Sequence, residues 1–184
     1  MQNYPIGTPG KPWGEEEKAQ WKGRQNAKRS YQEEVLKKLF KIIPEGFDLK
    51  QYGALPYDTA RYPLYAVIPK SFDANKPSAL VTGGVHGYET SGVQGALQFI
   101  ETKLSQYAEQ LNIVVVPCVS PWGYETINRW NPLALDPNRS FYKDSPAPES
   151  AQLIKLVSDL ALPLTLHIDL HETTDTYNSE FRPA

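Results

Sequence analysis

The chain has 184 residues, the size of one ordinary domain, with 40% hydrophobic and 22% charged residues. Nineteen Lys and Arg against 21 Asp and Glu leave a formal net charge of −2, which gives no electrostatic basis for binding nucleic acid or an anionic membrane surface. A single cysteine, Cys118, excludes a disulfide framework and a multi-Cys zinc site, so any metal site must draw on the three histidines, His86, His167 and His171, together with carboxylates.

Residues 1–29 read as an N-terminal arm strapped onto a main body formed by residues 30–184. Tyr4-Pro5-Ile6-Gly7-Thr8-Pro9-Gly10-Lys11-Pro12-Trp13 is Pro/Gly punctuation without periodicity, and Glu15 to Lys22 predicts a short polar helix. Met1 to Lys18 holds no apolar stretch of the secretory kind, and no apolar run reaches the roughly 18–20 residues of a membrane span. The expected location is therefore cytoplasmic, with neither membrane nor nucleic acid as a partner.

Ser30 can cap a helix whose apolar stripe is Val35, Leu36, Leu39, Phe40 and Ile43, stopped by Pro44 and Gly46. Asp48–Leu55 and Tyr62–Pro69 read as strands, bounded by Pro56 and Pro69. Ala79-Leu80-Val81-Thr82 is a buried strand ending in Gly83-Gly84, and a helix with Val93, Leu97, Ile100 and Leu104 follows from about Thr90. Asn112 to Val116 is a continuous apolar strand of the kind a parallel sheet buries on both faces. Pro117 to Ser145 is long, proline-rich and aperiodic, and such stretches are usually functional or disordered. A helix from Ser145 to Leu160, with Leu153, Ile154, Val157, Leu160 and Ala161 in its stripe, precedes a last strand from Leu164 to His171. Strands alternating with helices predict an α/β three-layer sandwich with a mixed, mostly parallel sheet, whose ligands gather at the C-terminal strand ends. The 16 prolines and 12 glycines mark it as loop-rich.

Two constellations converge at those strand ends. In Gly83-Gly84-Val85-His86-Gly87-Tyr88-Glu89 the imidazole and the carboxylate are three residues apart, so both reach one point, and the glycines permit a tight turn. H-x-x-E alone is common; its plain alternative is a surface His and Glu at a helix start, where acid favours the helix dipole. In Leu164 to Glu172 the alternation puts Leu164, Leu166, Ile168 and Leu170 on one face and Thr165, His167, Asp169 and His171 on the other. Ionisable groups in a row on an interior strand are costly unless paired or metal-bound. His86, Glu89 and His171 can thus form a His₂Glu site for one Zn²⁺, with the fourth position open for water as in catalytic zinc sites. His167 lies further back and reads as a satisfied core histidine before a ligand, and Asp169 can either orient His171 or pair with His167. In the loop between, Arg129 and Arg139 are cations among aromatics and prolines. They suit a carboxylate or an oxyanion, with ordinary surface salt bridging as the alternative. Cys118, after a buried strand, reads as a small core residue, and Tyr88 as a packing residue within the metal motif.

Together these segments, over about residues 50–184, resemble the zinc carboxypeptidase family, the carboxypeptidase A-like metallopeptidases. There H-x-x-E supplies two zinc ligands, matched by His86 and Glu89, and a later strand-end His supplies the third, matched by His171. The family's N-P-D-G-[YF] resembles Ser120-Pro121-Trp122-Gly123-Tyr124, with Trp where Asp is usual. Its D-x-N-R-N-[FW] resembles Asp136-Pro137-Asn138-Arg139-Ser140-Phe141, and its S-E-P-E resembles Ser145-Pro146-Ala147-Pro148-Glu149 less closely. The resemblance implies that Asn138 and Arg139 hold a substrate's terminal carboxylate, that Asp136 orients His86, and that Arg129 holds the oxyanion. Asp169-Leu170-His171 and the short loop are also similar to the aspartoacylase and succinylglutamate desuccinylase branch, which cleaves acyl amides of amino acids. The implied activity is zinc-dependent removal of a C-terminal amino acid, or else deacylation of an N-acyl amino acid; the implied partner is a substrate with a free carboxylate. The family's general base, a Glu, and a substrate-closing Tyr lie well downstream of the third ligand. Glu172, Tyr177 and Glu180 are too near His171 to match them. The expectation is therefore a domain without its C-terminal part, completed by a further segment, or a zinc-binding module without the base.

Overall fold

The apolar runs become five strands in the computed structural model, which describes residues 6–172: β1 (Phe47–Ala54), β2 (Pro63–Pro69), β3 (Ser78–Gly83), β4 (Asn112–Val116) and β5 (Leu164–Leu170). They form one sheet in the order β1-β2-β4-β3-β5. β2 is antiparallel to both β1 and β4, while β3 is parallel to both β4 and β5. Four strands thus share one direction, and the sheet is mixed.

Its two faces follow from the side-chain alternation. Ala79, Val81, Ile113 and Val115 pack on one face with Val93, Ala96, Leu97 and Ile100 of α3 (Thr90–Thr102). On the other face Leu80, Val114 and Val116 meet Leu153 and Leu156 of α6 (Pro148–Leu160). Helices on both faces make the three layers, and each such fully buried aliphatic side chain contributes about 1.5–3 kcal/mol. The polar helix α1 (Glu15–Gly23) buries Trp21, which packs on Trp122 with ring centroids 5.7 Å apart. No helix among the described residues is long and apolar enough to cross a membrane.

Four expectations need correction. The helix after Ser30 is a π-helical turn, Gln32–Leu36, running into a short α2 (Lys37–Leu39). It buries Val35, Leu36 and Leu39 but stops before Phe40, which is 48% exposed and lies edge-on to Tyr65. The stretch from Pro117 to Ser145 is more ordered than its aperiodic sequence predicts. It holds α5 (Pro121–Thr126), every residue of which is buried, and a 3₁₀ turn at Pro137–Ser140; α4 (Leu104–Ala108) extends the region after α3. In α6 the buried pair is Leu153 and Leu156, whereas Ile154 faces outward and Ala161 caps the helix in the left-handed conformation. Finally, β5 is not interior among the described residues: it pairs with β3 alone, at one edge, and Leu164, Leu166 and Ile168 are exposed.

Candidate metal centre

The register of β3 with β5 sets Thr82 opposite Asp169 and Gly83 opposite Leu170, so the residues after the two strands emerge side by side. After β3 the chain must turn at once to start α3. Gly84 takes φ +61, a conformation that a side chain disfavours. At Gly87 a Cβ would overlap the Tyr124 amide nitrogen and the Gly123 carbonyl carbon, so only glycine lets the turn seat on α5. The end of β4 fastens the same turn: Val119 N donates to Gly83 O, Ser120 N to Gly84 O, and the Ser120 hydroxyl to Val85 O at 2.6 Å.

This placement brings His86, Glu89 and His171 together, with one potential ligand atom from each within 4.8 Å of the others. His86 and Glu89 are buried, while the His171 side chain is 35% exposed. His86 Nδ1 lies 2.9 Å from Glu89 Oε1, and its Nε2 lies 2.9 Å from Asp136 Oδ1. His171 Nδ1 lies 2.8 Å from Glu89 Oε2, and its Nε2 lies 2.5 Å from Asp169 Oδ2. Each imidazole is therefore flanked by two carboxylates. A neutral ring has one N–H and donates to only one of them. The Nδ1 atoms of both rings face the Glu89 carboxylate, an arrangement that one cation shared by all three side chains would satisfy. Two imidazoles, one carboxylate and outer carboxylates on the far nitrogens are the donor set and support that zinc sites use. The residues fit the metal.

The electrostatics agree. Burial alone would lower the pKa of His86, but its hydrogen bonds to Asp136 and Glu89 outweigh that and raise it. On Glu89 burial works the other way, upward, but the hydrogen bond and charge of His86 bring it below its ordinary value. Asp136 is desolvated yet held down to about 2 by His86 and Arg129.

Asp136 is the hub of the outer ring. Beyond His86 it accepts from Arg129 Nε at 3.1 Å and Nη2 at 3.0 Å, with Arg139 Nε 3.5 Å away, and it takes the Asn138 amide. Asn138 and the Arg139 side chain, 81% exposed, stand at the solvent edge. The loop carrying Asp136 is tied to α6: the Ser150 hydroxyl donates to Pro137 O at 2.6 Å, and buried Glu149 accepts from Asn131 Nδ2, whose Oδ1 takes the amides of Leu133 and Leu135.

Some residues fall elsewhere than expected. His167 is neither a core histidine nor a member of the His86–Glu89–His171 cluster; it is exposed and lies 2.9 Å from the Thr82 hydroxyl, which donates to Asp169 Oδ1 at 2.7 Å. Thr82, unremarked in the sequence, so links His167 to the Asp169 that holds His171. The row of ionisable groups lines an open cleft of about 810 Å³ together with Asn138, Phe141 and Ile154. Glu172 is occupied at the start of α3, accepting from Ser91 N and the Ser91 hydroxyl. Tyr177 and Glu180 lie outside the described residues. Cys118 is a buried free thiol whose pKa burial pushes up. Tyr88 does more than pack: its ring stacks on His86, with centroids 6.0 Å apart.

Comparison with known proteins places these features in a family. Residues 75–181 match the model of the succinylglutamate desuccinylase/aspartoacylase catalytic domain. The fold is shared with a protein described as a metallopeptidase from Shewanella denitrificans OS217, at 23% identity and TM-score 0.62 over 75% of this chain and 50% of that one. It is shared with thrombin activatable fibrinolysis inhibitor, at 15% identity and TM-score 0.62 over 76% and 45%. A metallo-carboxypeptidase from Pseudomonas aeruginosa matches at 16% identity and TM-score 0.57 over 88% and 40%. At these identities the likeness is one of fold, and the chain spans half or less of the length of each structure. No match is found among curated proteins. The family match covers more than half of the residues, and the chain belongs to that family.

Proposed function

We propose that this member of the succinylglutamate desuccinylase/aspartoacylase family is a zinc-dependent hydrolase of an amide bond beside a free carboxylate, acting as a carboxypeptidase on the C-terminal peptide bond. The observation that carries the reading is the pair of imidazoles each flanked by two carboxylates around one point. His86, Glu89 and His171 would hold a single Zn²⁺. The ion supplies, when bound, a water acidified toward a pKa of about 7 and a Lewis acid for the carbonyl.

The chain's own groups do the rest. Asp136 and Asp169 fix the two rings by accepting from Nε2, which turns each Nδ1 inward. Arg129, clamped by two bonds to Asp136, is the cation that meets negative charge developing on the carbonyl oxygen. Asn138 and Arg139, at the open edge, take the substrate's carboxylate, and the cleft beside His171 is large enough for a peptide side chain. Glu172 is held by Ser91 and is not assigned the role of the proton-accepting base.

The family match favours a second reading, deacylation of an N-acyl amino acid by the same groups. A panel of peptides with free or amidated C-termini, alongside N-acyl amino acids, separates the two. Chelator-reversible release of a C-terminal amino acid only from free carboxylates is the expected result. Cleavage confined to N-acyl amino acids supports the second reading, and zinc binding without turnover of either panel leaves a non-catalytic module. Metal analysis of His171→Ala tests the ligand set itself: stoichiometric zinc is lost, and unchanged zinc content would rule it out.

A further inference from the structure

We propose that Arg29, a residue of the N-terminal arm, is a positioning residue of the metal centre and holds the turn that carries His86 and Glu89. The inference rests on the metal reading above. Arg29 lies 57 residues before His86, yet its guanidinium makes three hydrogen bonds around that turn. Nη2 donates to Gly87 O at 2.9 Å, Nη1 to the Thr90 hydroxyl at 2.5 Å, and Nε to Tyr124 O at 2.5 Å. Gly87 directly follows His86, and Thr90 directly follows Glu89, so the fork grips the ligand pair from both sides. The Thr90 hydroxyl in turn donates to Tyr88 O at 3.3 Å, so the carbonyls of Gly87 and Tyr88 are both anchored through Arg29.

The guanidinium is itself immobilised. It lies 3.6 Å above the centre of the Tyr124 ring, and the amides of Lys28 and Arg29 both donate to Glu125 O. Arm, α5 and metal turn are thereby joined at one planar group with five donors in a rigid fork. Glu89 needs that support. Its backbone, φ −76 and ψ 80, is not helical, and its own side chain does not cap α3. Glu89 must nonetheless offer one carboxylate oxygen to each histidine. A lysine in place of Arg29 keeps the charge but, as a point donor, cannot reproduce the planar fork.

The test uses the purified chain and Co²⁺ as a spectroscopic substitute for zinc. In Arg29→Met the affinity for Co²⁺ falls about tenfold, the lower end of what loss of an outer support costs a metal site, and the visible spectrum of the bound ion changes. Arg29→Lys recovers part of both, and carries the test should the methionine variant not fold. Tyr31→Phe is the control: it removes a bond from Tyr31 to Pro63 O in the neighbouring segment, lowers stability to urea, and leaves spectrum and affinity unchanged. An Arg29 variant that is folded and binds Co²⁺ with wild-type affinity and spectrum overturns the proposal, whatever its loss of stability. A wild-type chain that takes up neither Co²⁺ nor zinc refutes the metal reading instead, and this inference with it.

Discussion

Replacing Glu149 by Gln should remove a pH dependence of folding that this one carboxyl imposes. Glu149 is fully buried near the start of α6. Its Oε2 accepts from Asn131 Nδ2 at 2.9 Å and from the Tyr57 hydroxyl at 3.4 Å, but its Oε1 has no hydrogen-bond partner among the described residues. Burial therefore dominates and pushes its pKa from the ordinary 4.5 up to about 6. A raised acid binds its proton more tightly in the folded state than in the unfolded one. The associated stability is fully present below pH 4.5 and is lost as the pH rises through about 6. At about 1.4 kcal/mol per pH unit the loss is about 2 kcal/mol. Gln keeps an oxygen for Asn131 and Tyr57 and carries no charge, so the stability of Glu149→Gln relative to wild type should rise by about 2 kcal/mol between about pH 4 and pH 7. Urea denaturation of both metal-free proteins across that range measures the difference, in which the titration of all other groups cancels. A difference that stays constant with pH would show that Glu149 ionises normally inside the fold.

Three further outcomes concern the centre. Asp136→Asn leaves His86 Nε2 without its carboxylate and should weaken zinc binding by about 10–100-fold in a chelator competition; an unchanged affinity would separate Asp136 from the metal. Asp169→Ala should weaken it through His171, and because Asp169 also takes the Thr82 hydroxyl, the NMR resonances of His167 should shift in the same variant. Resonances that stay in place would break the link through Thr82. Gly87→Ala drives a methyl into backbone of α5 that has no flexible end to move, so its destabilisation should exceed the about 1–3 kcal/mol usual for overpacking. Thermal denaturation within a degree of wild type would show that the turn can lift off.

Much of the centre is legible along the chain because its signals are local. A strand that runs into two glycines and then H-x-x-E announces a tight turn with an imidazole and a carboxylate that could share a metal, and the alternation from Leu164 to His171 puts His167, Asp169 and His171 on one face. The resemblance to zinc carboxypeptidases added Asp136 as the partner of His86, and the structure places the two 2.9 Å apart. Where the reading failed, the missing information was non-local. Phe40 and Ile154 fit a helical stripe, yet which side of a helix is covered depends on what packs there. α5 shows no apolar period because all its residues are enclosed, so burial leaves no contrast between faces.

The sequence by itself determines the local chemistry: which residues can turn, which can ligate, and which strands carry them to their ends. Tertiary structure alone decides who meets whom. Thr82 finds Asp169 through the pairing of two strands, Glu149 acquires an unpartnered oxygen through enclosure, and Arg29 reaches Gly87 only because the segment carrying it folds back onto α5. The physical reason is range. Spacings of two to four residues are enforced by backbone geometry, whereas contacts across 58 or more residues exist only after the whole chain has closed around them.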